Sequence, residues 1–160
     1  MIKRITFVWI LVTCMIVFTS CGVDDIDISD YKDEKVIFLG LGEHEQSITV
    51  EELKELDCVT EKTQSTSDKI GEVRATGPLL STVLESLGHD LTEYSQIIVH
   101  GEDEYNIKLN ADFFKENQII LAIGIDGEAL DKESRPIRMI VPESDSAYWV
   151  RMVSKFEFIK

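Results

Sequence analysis

Positive charge is what this chain has least of relative to its opposite. Sixteen Lys and Arg face 30 Asp and Glu across 160 residues, a formal net charge of -14. Nucleic-acid binding needs clustered basic side chains to neutralise phosphates, so that function class is excluded. Electrostatic docking on anionic lipid is excluded on the same ground. The three histidines and three cysteines show no zinc-ligand spacing. Repeats and low-complexity tracts are absent. The longest apolar run, Ile5 to Phe18, is too short to span a bilayer, which takes ~20 residues.

That run has a different meaning. Lys3 and Arg4 precede it, its only polar members are threonines, and small residues lead into Cys21. A basic start, a short apolar stretch and a small-residue cleavage site make a secretory signal over residues 1–20. Phe18-Thr19-Ser20-Cys21 resembles a bacterial lipobox, which implies lipidation of Cys21 as the first mature residue. The expected location is therefore extracytoplasmic, on the cell membrane, with acyl chains as the attachment. Losing two basic residues with the signal takes the charge from -14 to -16. Cys14 leaves with the signal and Cys21 is taken by lipid, so Cys58 stands alone and no internal disulfide forms. About 120 residues supply a core that manages without one.

Residues 21–34, with dense Asp and little hydrophobicity, read as an acidic disordered tether. Their alternating Asp residues lack the turn glycine and closing Glu of a calcium loop. From Lys35 to Lys160 the pattern is globular. Val36 to Leu39, Val59 to Thr66, Lys69 to Ala75, Ile97 to Val99, Tyr105 to Leu109, Ile119 to Ile125, Ile137 to Val141 and Lys155 to Ile159 read as strands. Thr49 and Glu52 form a capping box for a short helix over Val50 to Leu56. Pro78 is expected at the first position of a second helix whose apolar face is Leu79, Leu80, Val83, Leu84 and Leu87, with Gly88 closing it. Asn110 caps a helical turn, and Asp126-Gly127 is a two-residue hairpin signal. Strands outnumber helices without βαβ alternation, so the expected class is α+β, a compact strand-rich domain with a few short helices.

The order of motifs resembles the molybdopterin-binding domain of sulfite-oxidase-type oxidoreductases over residues 36–160. Ile48-Thr49-Val50-Glu51-Glu52-Leu53-Lys54 is similar to that family's Thr-Leu-Glu-Glu-Leu opening. Gly77-Pro78-Leu79-Leu80-Ser81-Thr82-Val83-Leu84 resembles its Gly-Val-Pro-Leu-x-x-Leu-Leu helix. His100 to Tyr105 stands where the family has an Asp-Gly-Tyr turn. Leu121 to Leu130 resembles its Asn-Gly hairpin, Arg135 to Pro142 its Pro-Leu-Arg-Leu-Val-Val-Pro strand, and Trp149 to Val153 its Trp-Val-Lys-Trp-Leu close. The resemblance implies the family's α+β fold, and implies molybdopterin as cofactor if that function is retained. The residues it would assign to the cofactor are Arg74, Arg138, Arg151, His100 and Tyr105.

One departure stands against retention. Family enzymes ligate molybdenum with a cysteine thiolate near the end of the strand that follows the first helix, a soft donor suited to that metal. Here that position falls near Ser65, Thr66 or Ser67, and Cys58 sits at the strand's start. The long loop that follows the family's cysteine is reduced to Asp68 to Thr76. Cys58 is a slipped metal ligand, a redox thiol or a buried apolar group. Arg138 and Arg151 bind an anion or brace loops. His100 is a metal or acid–base group, or a turn residue. Glu43-His44-Glu45 reads as solvated loop, and Tyr148-Trp149 as core or pocket rim. The favoured expectation is a cofactor-free binding or accessory module of an envelope redox or transport system, with a possible envelope protein partner. A molybdopterin oxidoreductase using Cys58, and an unrelated ligand-binding lipoprotein, are the alternatives. Without the cofactor, at least one of Arg74, Arg138 and Arg151 is expected to pair with Glu72, Glu102, Asp103 or Glu104.

Overall fold

A computed structural model describes residues 23, 25–67 and 71–160. The signal and the Cys21 lipidation site lie outside the described residues. Among those described, no helix is long and apolar enough to cross a membrane.

The elements run β1 (Lys35–Leu39), β2 (Gln46–Thr49), α1 (Val50–Glu55), β3 (Cys58–Thr63), β4 (Val73–Pro78), α2 (Leu80–Ser86), β5 (Gln96–Gly101), β6 (Asn106–Asn110), α3 (Ala111–Glu116), β7 (Ile120–Ala122), β8 (Gly124–Ile125), β9 (Glu128–Ala129), β10 (Arg138–Ile140) and β11 (Val153–Ile159). Single 3₁₀ turns occupy Leu91–Glu93 and Ser146–Tyr148. A five-stranded sheet is ordered β2-β1-β11-β5-β6, a four-stranded one β3-β4-β8-β9, and β10 pairs with β7. Among the described residues only β1 with β11 is parallel. The architecture is the α+β class expected, with every helix short.

Local chemistry explains most boundaries. Thr49 and Glu52 make the capping box, each side chain bonding the other residue's backbone N–H. Asn110 Oδ1 accepts from the Phe113 N–H to start α3. Asp126 (φ 57) and Gly127 (φ 84) form the tight β8–β9 turn, as type I′ geometry requires. Gly88 at φ 84 ends α2.

Two of these expectations are corrected, and one strand is added. Pro78 does not open α2; it ends β4 opposite Cys58, where a missing N–H is tolerated, and α2 starts at Leu80, whose N–H donates to the Ile119 carbonyl. The Ile119 to Ile125 run is two strands, because Ile123 turns its N–H to the Thr76 carbonyl and β8 then leaves β7 for β4. A strand at Gln46–Thr49, paired with β1, went unread among the polar residues before the cap.

The largest correction concerns the tether. From Asp25 onward it is part of the domain. Ile26, Ile28 and Tyr31 are buried in the main core, Tyr31 at 1% exposure. The Tyr31 hydroxyl donates to the Ile123 carbonyl (2.6 Å) and accepts from the Leu130 N–H (3.1 Å). Arg135 lies over its ring at 4.5 Å and reaches Asp30 at 3.6 Å. The Val50 and Glu51 N–H groups donate to the carbonyls of Glu34 and Lys32. The Asp residues point outward while every apolar side chain goes in; composition averaged over the segment hides this.

Two cores result. The larger lies against the five-stranded sheet, where Phe38, Phe156 and Phe158 stack. The smaller joins Ala75, Ile120, Ala122, Ile140 and Trp149 between β4, β7 and β10. Gly77 permits that junction: a Cβ there would come within 2.0 Å of the Leu121 carbonyl oxygen.

Tyr31→Phe leaves the Leu130 N–H and the Ile123 carbonyl without their partner in a dry site. A loss of about 1–3 kcal/mol is expected in urea unfolding. Tyr31→Ala adds a cavity and is expected to cost about 3–5 kcal/mol, an outcome a floppy tether would not give.

Candidate functional site

β3 and β4 place two rows of side chains on opposite faces. In register, Cys58, Thr60 and Lys62 lie opposite Pro78, Thr76 and Arg74 on one face; Val59, Glu61 and Thr63 lie opposite Gly77, Ala75 and Val73 on the other. The second face carries the smaller core, with Val59 and Val73 packed against it. Cys58 is therefore turned away from Trp149 and its neighbours. Its sulfur contacts the Leu53 and Lys54 carbonyls of α1 at 3.6 and 3.9 Å. Burial, helped by the nearby Asp57 charge, pushes the thiol up to about 11. A thiol held in this way has little thiolate to offer a metal.

The far end of β3, where the resemblance puts a thiolate, carries hydroxyls. Thr63 and Ser65 are buried there. The Thr63 hydroxyl accepts from the Glu143 N–H (3.1 Å), and the Ser65 hydroxyl donates to the Ser144 carbonyl (3.2 Å), which also accepts from the Thr66 N–H (2.9 Å). The Ser144 hydroxyl donates to the Val141 carbonyl, which also takes the Trp149 indole N–H. The segment after β10 is thus fastened onto the end of β3. Protonated hydroxyls already bonded to backbone offer no soft donor. Among the described residues no three His, Cys, Asp or Glu side chains gather as a metal would require. The donor set does not fit a thiolate-ligated molybdenum centre.

The arginines separate into two clefts. Arg74 is exposed beside Lys62, Glu72 and Asp126 in a cleft of about 310 Å³. Arg138 enters a second, of about 250 Å³, with Asp126, Glu128, Asp131 and Ser134. Asp126 stands between them, yet its carboxylate accepts from the Arg74 backbone N–H (2.7 Å) and pairs with neither guanidinium. Arg138 Nε is fully buried without a hydrogen-bond partner, and its guanidinium carbon lies 5.9 Å from the Trp149 ring. Burial, then the neighbouring Arg151 cation, hold the Arg138 guanidinium below the usual arginine range. Among the described residues none of Arg74, Arg138 and Arg151 forms an ion pair, so the expected pairing is contradicted. The acidic residues named for it are committed elsewhere or face solvent: Glu72 pairs with Lys62 at 2.7 Å, and Glu102 borders a separate cleft with Asp30, Glu34, Lys132 and Arg135.

The β5–β6 hairpin meets the chain on either side of Trp149. Its Glu102 N–H donates to the Met152 carbonyl, and the Tyr105 hydroxyl donates to the Ala147 carbonyl (3.1 Å). Tyr105 therefore braces the segment before Trp149. His100 lies on the five-stranded sheet, 3.4 Å from Glu157 of β11, and is not drawn to Arg138. Trp149 belongs to the smaller core, while Tyr148 stacks on Phe113. A further cleft, about 460 Å³, lies elsewhere, between α2, the 91–93 turn and α3, with Leu80, Phe114 and Ile119 at its floor. Its residues sit in ordinary amphipathic helices and carry no motif, so nothing in the sequence marks it.

A thiol held near 11 in place of an ordinary value near 9 has about a hundredfold less thiolate at pH 8. Alkylation of Cys58 by iodoacetamide is expected to be slower than that of an unfolded control by about this factor. The rate should rise steeply toward pH 11.

Comparison with known proteins places this arrangement. No curated protein matches the chain. Among solved structures it is similar to the sulfane dehydrogenase SoxCD from Paracoccus pantotrophus, with a TM-score of 0.65 and 21% identity, over 80% of this chain and 38% of that one. The likeness shows a shared fold, and this chain spans well under half of that protein's length. The family model for the oxidoreductase molybdopterin binding domain matches residues 25–160, beginning inside the docked N-terminal segment and reaching the last strand. That match removes the alternative of an unrelated lipoprotein. With three sheets, a docked N-terminal segment and motifs in the family's order, this chain belongs to the oxidoreductase molybdopterin binding domain family.

Proposed function

We propose that this protein is a lipid-anchored extracytoplasmic member of the family that works without a molybdenum centre. In this reading it is a binding or accessory module in an envelope redox or transport system. The observation that carries it is the chemistry at the two ends of β3. Bonded hydroxyls fill the end where a thiolate is needed, and the available thiol sits at the other end, on the other face, with a pKa of about 11. The lipobox-like Phe18 to Cys21 supplies the membrane attachment, and the acidic charge disfavours nucleic acid as a partner.

Metal analysis of protein purified from a host that makes molybdopterin tests the reading. Molybdenum well below one atom per chain is expected. A stoichiometric content, lost on Thr63→Ala or on Cys58→Ser, would overturn it.

Arg138 favours retention of a small anion even so. Its Nε is buried and unpartnered, Arg151 adds a second positive charge, and the indole of Trp149 gives a flat neighbour. A half-buried guanidinium with an unpartnered Nε is costly, and an oxyanion would offset that cost by charge-assisted hydrogen bonds. Millimolar sulfate or phosphate is expected to raise the melting temperature of the native protein and to have little effect on Arg138→Gln, with sodium chloride at matched ionic strength as the control. Equal shifts in both proteins would remove the anion site.

A further inference from the structure

The docked N-terminal segment fixes how the domain meets the membrane. Asp25 is four residues from Cys21. Each residue spans at most about 3.3–3.6 Å, so the link reaches no further than ~14 Å. A folded unit of this size has a radius of about 18 Å, taking its radius of gyration from chain length. A link shorter than the radius does not let the domain turn over.

The point of exit is well held. The Lys54 ammonium of α1 donates to the Ile26 carbonyl at 2.8 Å. Ile26 is buried, and its side chain lies so close to Gly124 of β8 that a Cβ there would come within 2.5 Å. The chain therefore leaves the domain between α1 and the β8–β9 hairpin. The opposite edge of the five-stranded sheet is β6, with α3 following it, whereas α1 follows β2 at the near edge.

We infer that the pole formed by α1 and the β8–β9 hairpin is seated against the lipid headgroups, with α3 and β6 directed away from the bilayer. Asp126, on that hairpin, borders both arginine clefts, so both lie on the membrane side of the domain. The inference rests on the lipid anchor at Cys21 proposed above.

The test uses the lipidated full chain in phosphatidylcholine vesicles containing a lipid with a headgroup spin label. A fluorophore is attached at Glu128→Cys, at Glu55→Cys, or at Asp112→Cys on α3, each in a Cys58→Ala background; all three labelled positions are solvent-exposed. Quenching at positions 128 and 55 is expected to exceed that at 112 severalfold. A flexible 15-residue Gly/Ser insert between residues 24 and 25 is expected to erase the difference while the protein still floats with vesicles. Equal quenching at all three sites in the native-length chain would overturn the seating while leaving the anchor intact. Failure to float, with Cys21→Ser behaving identically, would overturn both.

Discussion

Everything in this fold hangs on β11, the last strand, lying between β1 and β5. Its parallel pairing with β1 brings the two ends of the domain together, and its antiparallel pairing with β5 carries the β5–β6 hairpin. Phe156 and Phe158 project from it into the main core, beside Phe38 of β1. At its start, Val153 bridges to Ile137 and so fixes the approach to β10. A parallel contact between first and last strands is slow to find, since the whole intervening chain must be closed as a loop. Once made, it sets the distance between Arg138 on β10 and Arg151 just before β11.

The candidate site is a product of that closure. Arg138 gets its position from β10, which pairs with β7 over the smaller core. The segment that follows β10 crosses to β3 and is tied there by Thr63, Ser65 and Thr66, then is braced by Tyr105 before it enters β11. Side chains that in a metal-binding relative would need to be free to coordinate are here hydrogen-bond partners of backbone. Two positive-φ residues, Glu143 (φ 55) and Met152 (φ 53), flank this crossing. Such backbone costs energy in non-glycine residues and persists where surrounding contacts over-determine it.

Much of this was legible in the sequence because the signals were local. Capping residues at Thr49 and Asn110, the Asp126-Gly127 turn and the apolar strand cores depend on neighbours a few positions away, and they appear where expected. What escaped was set by distant partners. Tyr31 reads as a lone aromatic among acids until Ile123 and Leu130 are seen to hold its hydroxyl, 92 and 99 positions away. The place of Pro78 is decided by Cys58 across the ladder and by Ile119 at the start of α2. The counter-charges expected for the arginines have other partners. Glu72 went to Lys62 on the neighbouring strand, and Asp126 gave its carboxylate to a backbone N–H.

The lone thiol on α1's side of β3 has a bearing on how this protein is made. Chains with several cysteines depend on oxidases and isomerases to reach the right pairing. Here Cys58 is half-buried, its sulfur faces carbonyls, and its thiolate is scarce. Thiol–disulfide exchange needs that thiolate as the attacking species. Among the described residues the folded domain thus has one thiol, held back from exchange, and strand pairing and core packing proceed without cysteine pairing.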